Sequence, residues 1–260
     1  MIGMPGTLDT GAGFSKYFEM LPVLSREERE QTFRLRHQVY CEDLGWEARR
    51  SDALETDEYD AHSLHCLARS RQSGNFAGCV RLVLGHADDV NRGLPFELTC
   101  ADTLDRELMD RLADSRPGIA EVSRLAIVRD YRRRRGEEDS PGTLLDSSFG
   151  TAEQPRFPYL LVGLYMAVFV IAERHQLDTL FLLVEPRLSR HLNHLGIDNR
   201  QVGRAAEHRG LRVPAMIDVA QVIANLNPRL RGIFDVVAGE IAAGYRAAAA
   251  SAAGSPDACR

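Results

Sequence analysis

The stretch FRLRHQVYCEDLGW (Phe33–Trp46), with the acidic ETDEYD (Glu55–Asp60) one charged loop later, decides how this chain folds. Just ahead of it Ser25 stands three residues before Glu28. That is the spacing of a capping box, in which each side chain bonds the other's backbone amide and a helix starts. At 3.6 residues per turn Phe33, Arg36, Tyr40 and Leu44 share one face, with Leu35 and Val39 beside it. Arg36 therefore interrupts an apolar stripe. A guanidinium pressed into packed apolar surface needs a carboxylate in reach, because breaking a buried ion pair costs about 3–5 kcal/mol. Glu55, Asp57 and Asp60 are the obvious suppliers.

Outward from this segment, the loop EARRSDALETDEYD (Glu47–Asp60) is too charged and aperiodic for a core element, so it is expected to border a site. Leu64, Cys66 and Ala68 then alternate against His65 and Leu67, and a polar turn at Ser70–Asn75 leads into FAGCVRLVL (Phe76–Leu84). The pair reads as an antiparallel hairpin. Arg81 points the same way as Cys79 and Val83, a second arginine on a partly apolar face. Residues His86–Leu98 read as a loop and LDRELMDRLAD as a short helix. EVSRLAIV (Glu121–Val128) reads as a central strand covered on both faces. On a regular strand Glu121 and Arg124 point to opposite sides, so both serve one cleft only if a bulge intervenes.

The order Arg36, Val39, Tyr40, Leu44, Gly45, Trp46, then Glu55-x-Asp57-x-Tyr59-Asp60, then Arg81, then Glu121-Val122-Ser123-Arg124 resembles the bacterial acyl-homoserine-lactone (autoinducer) synthases. FEMLPV before the helix and LPFE in mid-chain look more like their cousins, the N-acyl amino acid synthases and the acyltransferases associated with PEP-CTERM/exosortase systems. The resemblance implies a mixed α/β GNAT-like acyltransferase fold, with a splayed central mixed sheet and helices on both faces. It also implies transfer of a fatty acyl group from a thioester, carried by acyl carrier protein or coenzyme A, to the amine of an amino acid or related molecule. Tyr40 departs from it, standing where the lactone synthases usually have phenylalanine. Formation of an acyl-homoserine lactone from S-adenosylmethionine is the alternative. A non-catalytic acyl-carrier- or lipid-binding module is the rival of another class.

On this resemblance Glu55 is the candidate base, with Glu121 as the second catalytic acid. Arg36, Tyr40, Trp46, Asp57, Asp60, Arg81, Ser123 and Arg124 shape the acceptor pocket. Backbone amides at the sheet splay would stabilise the oxyanion. The run Arg132-Arg133-Arg134-Arg135-Gly136 follows the central strand where GNAT enzymes bind a pantetheine pyrophosphate. It suits a phosphopantetheine arm or an acidic carrier protein, and equally a solvated charge run. Asp57 and Asp60 can serve as structural partners of Arg36 and Arg81 as well as catalytic groups, and Trp46 can be core as well as site wall.

Composition narrows the alternatives. With 260 residues, 44% of them hydrophobic, the chain can bury a large core. A formal net charge of -5 argues against a general nucleic-acid binder. Five cysteines without a CxxC pair suit a reduced, cytoplasmic protein. The apolar run Tyr159–Ala172 is shorter than the roughly 20 residues of a membrane span, so no stable membrane insertion is expected. His62-x-x-His65 and His191-x-x-His194 lack a third ligand at zinc spacing, so no metal and no permanently bound cofactor are expected. No Gly-x-Ser-x-Gly elbow and no P-loop lysine motif is present.

Residues 1–22 read as a flexible arm and 23–245 as the domain, with an insertion at about 136–157 that is rich in turn formers. Residues 246–260 read as a loose tail. Within the domain a helix from Pro158 to His175, a strand Thr179–Val184 and a helix from Pro186 to near Gly196 are expected. A short strand ending at Arg212-Val213-Pro214 and a helix Pro228–Tyr245 follow.

Overall fold

The computed structural model describes residues 9–86, 92–113, 116–131 and 158–253. The run Arg132–Arg135 and the insertion at 136–157 lie outside the described residues. An open sheet in the order β1-β2-β3-β4-β5-β8-β6, with β7 paired to β8, organises the chain. Its strands are β1 (Phe18–Pro22), β2 (Ser63–Ser70), β3 (Phe76–Leu84), β4 (Ile119–Ile127), β5 (Thr179–Val184), β6 (Arg200–Gln201), β7 (Ala206–Glu207) and β8 (Leu211–Asp218). All pairings are antiparallel except β4 with β5.

Side-chain alternation assigns the two faces. Cys66, Ala68, Val80 and Leu82 join a core with α1 (Thr10–Tyr17), α5 (Tyr159–Arg174) and α8 (Pro228–Ala253). The intervening Leu67 and Cys79 join Leu35, Val39 and Tyr40 from α2 (Arg26–His37) and the turn after it. The first face is dry: twelve of the sixteen α5 residues are buried, which explains why its sequence is apolar all round. The second face carries the buried charged residues Arg36 and Arg81.

The capping box at the start of α2 is formed as expected. Ser25 Oγ accepts the Glu28 amide at 3.1 Å and Glu28 Oε2 accepts the Ser25 amide at 2.9 Å. The expected helix through Leu44 changes character halfway, becoming a π-helix at Gln38–Asp43, with Leu44 N bonded to Val39 O at 3.1 Å. The bulge that Glu121 and Arg124 require is also present. The β3–β4 register shifts between Cys79 and Arg81, and Arg124 takes a φ of 49°.

Four expectations need correction. Residues 10–22 are helix α1 and edge strand β1 rather than an arm, with Phe14 and Met20 fully buried. The glycine at position 11 lets α1 approach α8: a Cβ there would lie 2.6 Å from the Gly232 carbonyl oxygen. The alanine-rich segment 246–253 continues α8, consistent with alanine's helix propensity. LPFE is not loop, since α3 (Pro95–Thr99) forms there with proline at its start. The last expected strand does not stop at Pro214 but runs on to Asp218. Pro214 is tolerated because its carbonyl faces the short outer strand, accepting Val202 N at 2.9 Å, so its missing N–H falls near the sheet edge. Among the described residues no helix is long and apolar enough to cross a membrane.

Candidate active site

The parallel pairing of β4 with β5 ends at Val122↔Leu182, although β4 continues to Ile127 and β5 to Val184. The two strands diverge there, and a cavity of about 410 Å³ opens beside the divergence. Its polar end is lined by Tyr40, Trp46, Asp57, Arg81, Glu121 and Arg124. Its apolar arm is lined by Val122, Leu125, Tyr165, Leu182, Leu188 and Leu192. The Tyr165 ring borders that arm while its hydroxyl is buried with no hydrogen-bond partner among the described residues.

Arg36 is 0% exposed and holds three bonds to acids, as its place in the apolar stripe demands. Its Nε donates to Glu55 Oε2, and Nη1 and Nη2 donate to the two Asp60 oxygens at 2.6 and 3.2 Å. Arg81 Nη1 donates to Asp57 Oδ1 at 2.6 Å and Asp60 Oδ1 at 2.8 Å, and its Nε donates to Ser123 Oγ at 3.0 Å. Arg124 donates to Glu55 Oε1 at 3.1 Å and pairs with Asp57 Oδ2 at 3.1 Å. Three arginines and three acids thus interlock, so each buried charge is balanced. Burial opposes ionisation of Asp60, but the hydrogen bonds and charge of Arg36 and the charge of Arg81 outweigh it and hold its carboxyl at about 2. Behind the cluster His65 lies 3.8 Å from Asp60. Burial, with the Arg36 charge, pulls its imidazole down to about 4.

Glu121 meets different surroundings. Its neighbours across the sheet are Val83 and Phe181, and Phe96 stacks on Phe181 with ring centroids 4.6 Å apart. One carboxyl oxygen accepts the Phe96 amide at 2.7 Å. Burial pushes this carboxyl up to about 8, against the opposing pull of the Phe96 amide and the Arg81 and Arg124 charges.

All ten acceptor-pocket and catalytic candidates therefore gather in one region, but not all on the cavity wall. Arg36, Glu55 and Asp60 stand behind it, bracing the residues that do line it. Tyr40 donates its hydroxyl to Leu125 O at 2.9 Å, and Trp46 packs on Tyr40 with centroids 6.2 Å apart. Trp46 is thus both a packing residue and a wall. Sequence reasoning missed Tyr59, Phe96, His208, Arg209 and Arg212, all on the cavity lining. They come from a turn, the five-residue helix α3 and the β7–β8 hairpin, where no periodic signal marks them. Among the described residues no group of three or more His, Cys, Asp or Glu side chains could hold a metal ion.

Residues 35–139 match the acetyltransferase (GNAT) domain family. An acyl-homoserine-lactone synthase of Vibrio anguillarum is 27% identical over 123 residues, which is 47% of this chain and 58% of that protein. The matched region thus spans little more than half the length of that relative. Among solved structures, TofI in a ternary complex with an inhibitor and MTA aligns with a TM-score of 0.54 at 20% identity, over 82% of this chain and 99% of its own. BjaI, a CoA-dependent acyl-homoserine lactone synthase with SAM and isopentyl-CoA, gives 0.51 at 21%, over 85% and 89%. FeeM, an N-acyl amino acid synthase from uncultured soil microbes, gives 0.51 at 14%, over 80% and 95%. Residues 35–139 thus resemble an acetyltransferase (GNAT) domain, and the fold is that of the acyl-homoserine-lactone and N-acyl amino acid synthases.

Proposed function

We propose that this protein transfers a fatty acyl group from a thioester to the amine of an amino acid or a related small molecule. The observation that carries the reading is the divergence of β4 and β5 beyond Val122 and Leu182, with Glu121 buried at its root and an apolar arm on one side. The acyl chain lies along Leu182, Leu188 and Leu192, which places its carbonyl near the splay. Backbone amides of β4 past Val122, freed from pairing with β5, face the developing oxyanion.

Glu121 is the base of this scheme. It takes a proton from the acceptor ammonium, the amine nitrogen attacks the thioester carbonyl, and the C–S bond breaks as the C–N bond is made. The departing thiolate leaves with the proton that nitrogen loses, so an amide and a free thiol result. A carboxylate titrating near 8 is well matched to an amine, because a base works best with a pKa close to the working pH. Glu55 takes a positioning role, since each of its oxygens already accepts from a guanidinium. The donor is an acyl carrier protein thioester or acyl-CoA, and BjaI with isopentyl-CoA supports the latter.

A second reading, lactone synthesis from S-adenosylmethionine, is favoured by the 27% match to the Vibrio anguillarum synthase. One experiment tests both. The pure protein is incubated with lauroyl-CoA or lauroyl acyl carrier protein and either pooled amino acids or S-adenosylmethionine, and products are identified by mass spectrometry. An N-acyl amino acid supports the first reading and an acyl-homoserine lactone the second. Neither product with either donor sinks both.

A further inference from the structure

Arg209 lies at the tip of the β7–β8 hairpin, with φ of 52°, followed by Gly210 at 94°. Gly210 N is held by Glu207 Oε1 at 3.0 Å, which fixes this tight turn over the cavity. The Arg209 guanidinium sits 5.7 Å from the Trp46 ring centroid, and that of Arg124 sits 5.6 Å from the Tyr40 centroid. Two arginines thus lie on two neighbouring aromatic rings. Both turn their Nη2 atoms to one oxygen, Glu47 Oε1, with Arg124 at 3.4 Å and Arg209 in closer contact.

Glu47 differs from the other acids around these arginines. Its side chain is 28% exposed, against 6% for Glu55 and 8% for Asp60. Asp57, at 22%, is anchored by Arg81 and Arg124 and caps the Tyr59 amide. Arg124 keeps Glu55 and Asp57 when Glu47 moves away. Arg209 keeps no carboxylate among the described residues. A ligand carboxylate entering as Glu47 swings into solvent leaves the charge count unchanged and restores the two-guanidinium contact.

We propose that Arg124 and Arg209 form a clamp for the carboxylate of an α-amino acid head group, and that Glu47 fills this clamp as a stand-in until the acceptor displaces it. The inference rests on the reading of this cavity as the acceptor site, and it adds Arg209 and Glu47 to that site. Displacement also makes the site selective. An amine without a carboxylate must bind with Glu47 in place or leave Arg209 unpaired.

Trp46 is the one tryptophan of the chain and lies under Arg209, so its fluorescence reports on this site. The intact protein is titrated with N-lauroyl glycine and N-lauroyl glycinamide, which differ in the carboxylate. The carboxylate probe is expected to bind about tenfold tighter. Arg209→Gln abolishes that preference, whereas Glu47→Gln strengthens the carboxylate probe and leaves the carboxamide unchanged. Equal affinity of the two probes for the unmodified protein, or equal weakening of both by Arg209→Gln, overturns the clamp. So does weaker carboxylate binding in Glu47→Gln.

Glycine and S-adenosylmethionine, titrated in the same way against both forms, identify the source of the head group by which one loses affinity in Arg209→Gln. Loss in neither overturns the proposal. Carboxylate discrimination without acyl transfer to any acceptor would remove the transferase reading and keep the clamp. Transfer without discrimination would remove the clamp alone.

Discussion

Asp60 and Glu121 are both nearly inaccessible, at 7% and 5% exposure, yet one carboxyl is held at about 2 and the other is pushed up to about 8. Burial acts on both in the same direction. The difference lies in what surrounds each: Asp60 accepts from Arg36 and Arg81, whereas Glu121 has Phe96, Phe181 and Val83 beside it and a single backbone donor. The fold therefore holds one carboxyl charged as a strut, on the turn ahead of β2, and raises the pKa of the other, on β4. That separation by environment supports the proposed roles, Asp60 as strut and Glu121 as base.

The comparison breaks most readily at Glu121. Glu121→Gln keeps the shape but removes the proton acceptor, so kcat is expected to fall by about 10²–10⁴. The fold should be as stable or more stable, since the substitution removes a carboxyl that resists ionisation where it stands. Kinetics and melting curves on the same preparation check both halves. If Glu55→Gln abolishes turnover without destabilising the fold while Glu121→Gln stays active, the roles are reversed.

Arg36→Ala attacks the strut. It leaves Asp60 and Glu55 short of a partner inside the protein, and about 3–5 kcal/mol of stability is expected to go, measured by denaturant unfolding. A loss below about 1 kcal/mol, the value of a surface pair, would show that the cluster is solvated.

The pH dependence of stability sharpens the contrast. As pH falls from 6.5 toward 4 the unfolded chain protonates His65 before the folded one does, so stability is lost on the acid side. Asp60 adds to this loss as pH falls from 3.8 through about 2. Glu121 works the other way. Between 4.5 and about 8 the unfolded chain gives up this proton while the folded one keeps it, so stability falls as pH rises. Between 4.5 and 6.5 the His65 and Glu121 contributions oppose each other, and a plateau is expected. Above 6.5 a decline appears, and Glu121→Gln should flatten it. Urea midpoints from pH 4 to 9 on both proteins decide this, and an identical alkaline slope in the variant would contradict the Glu121 assignment.

The smallest expected effect is at Tyr40. Its hydroxyl gives one hydrogen bond to Leu125 O, so Tyr40→Phe should cost about 1 kcal/mol and leave turnover within a few-fold. A large loss of activity would promote this hydroxyl to a role in the chemistry.

The strut was the legible part of this site. An arginine in an apolar helical stripe, followed by the acidic run Glu55–Asp60, is a local pattern, and physical chemistry alone pairs them. The hairpin of β2 and β3 and the apolar helix α5 were readable for the same reason, since their periodicities belong to one element each. Glu121 could be named but its environment could not, because Phe96 reaches it from a segment that reads as loop and Phe181 from a strand 60 residues on. Arg209 and Glu47 meet across 162 positions, and neither lies on a periodic element.

The π-helix at Gln38–Asp43 sets a count as well as a shape. One residue more than an α-turn requires lies between Arg36, whose side chain is tied to the acidic loop, and Trp46, whose backbone is tied to Tyr40 at 2.8 Å. Removing a single residue there would restore ordinary helical winding, and the side chains inside the turn would move by up to about 100° around its axis. Tyr40, within the turn, would leave the cavity wall while Arg36, ahead of it, stayed paired. A one-codon deletion is thus expected to spare the strut and to damage the site wall at Tyr40, which circular dichroism and probe binding on the same variant would report.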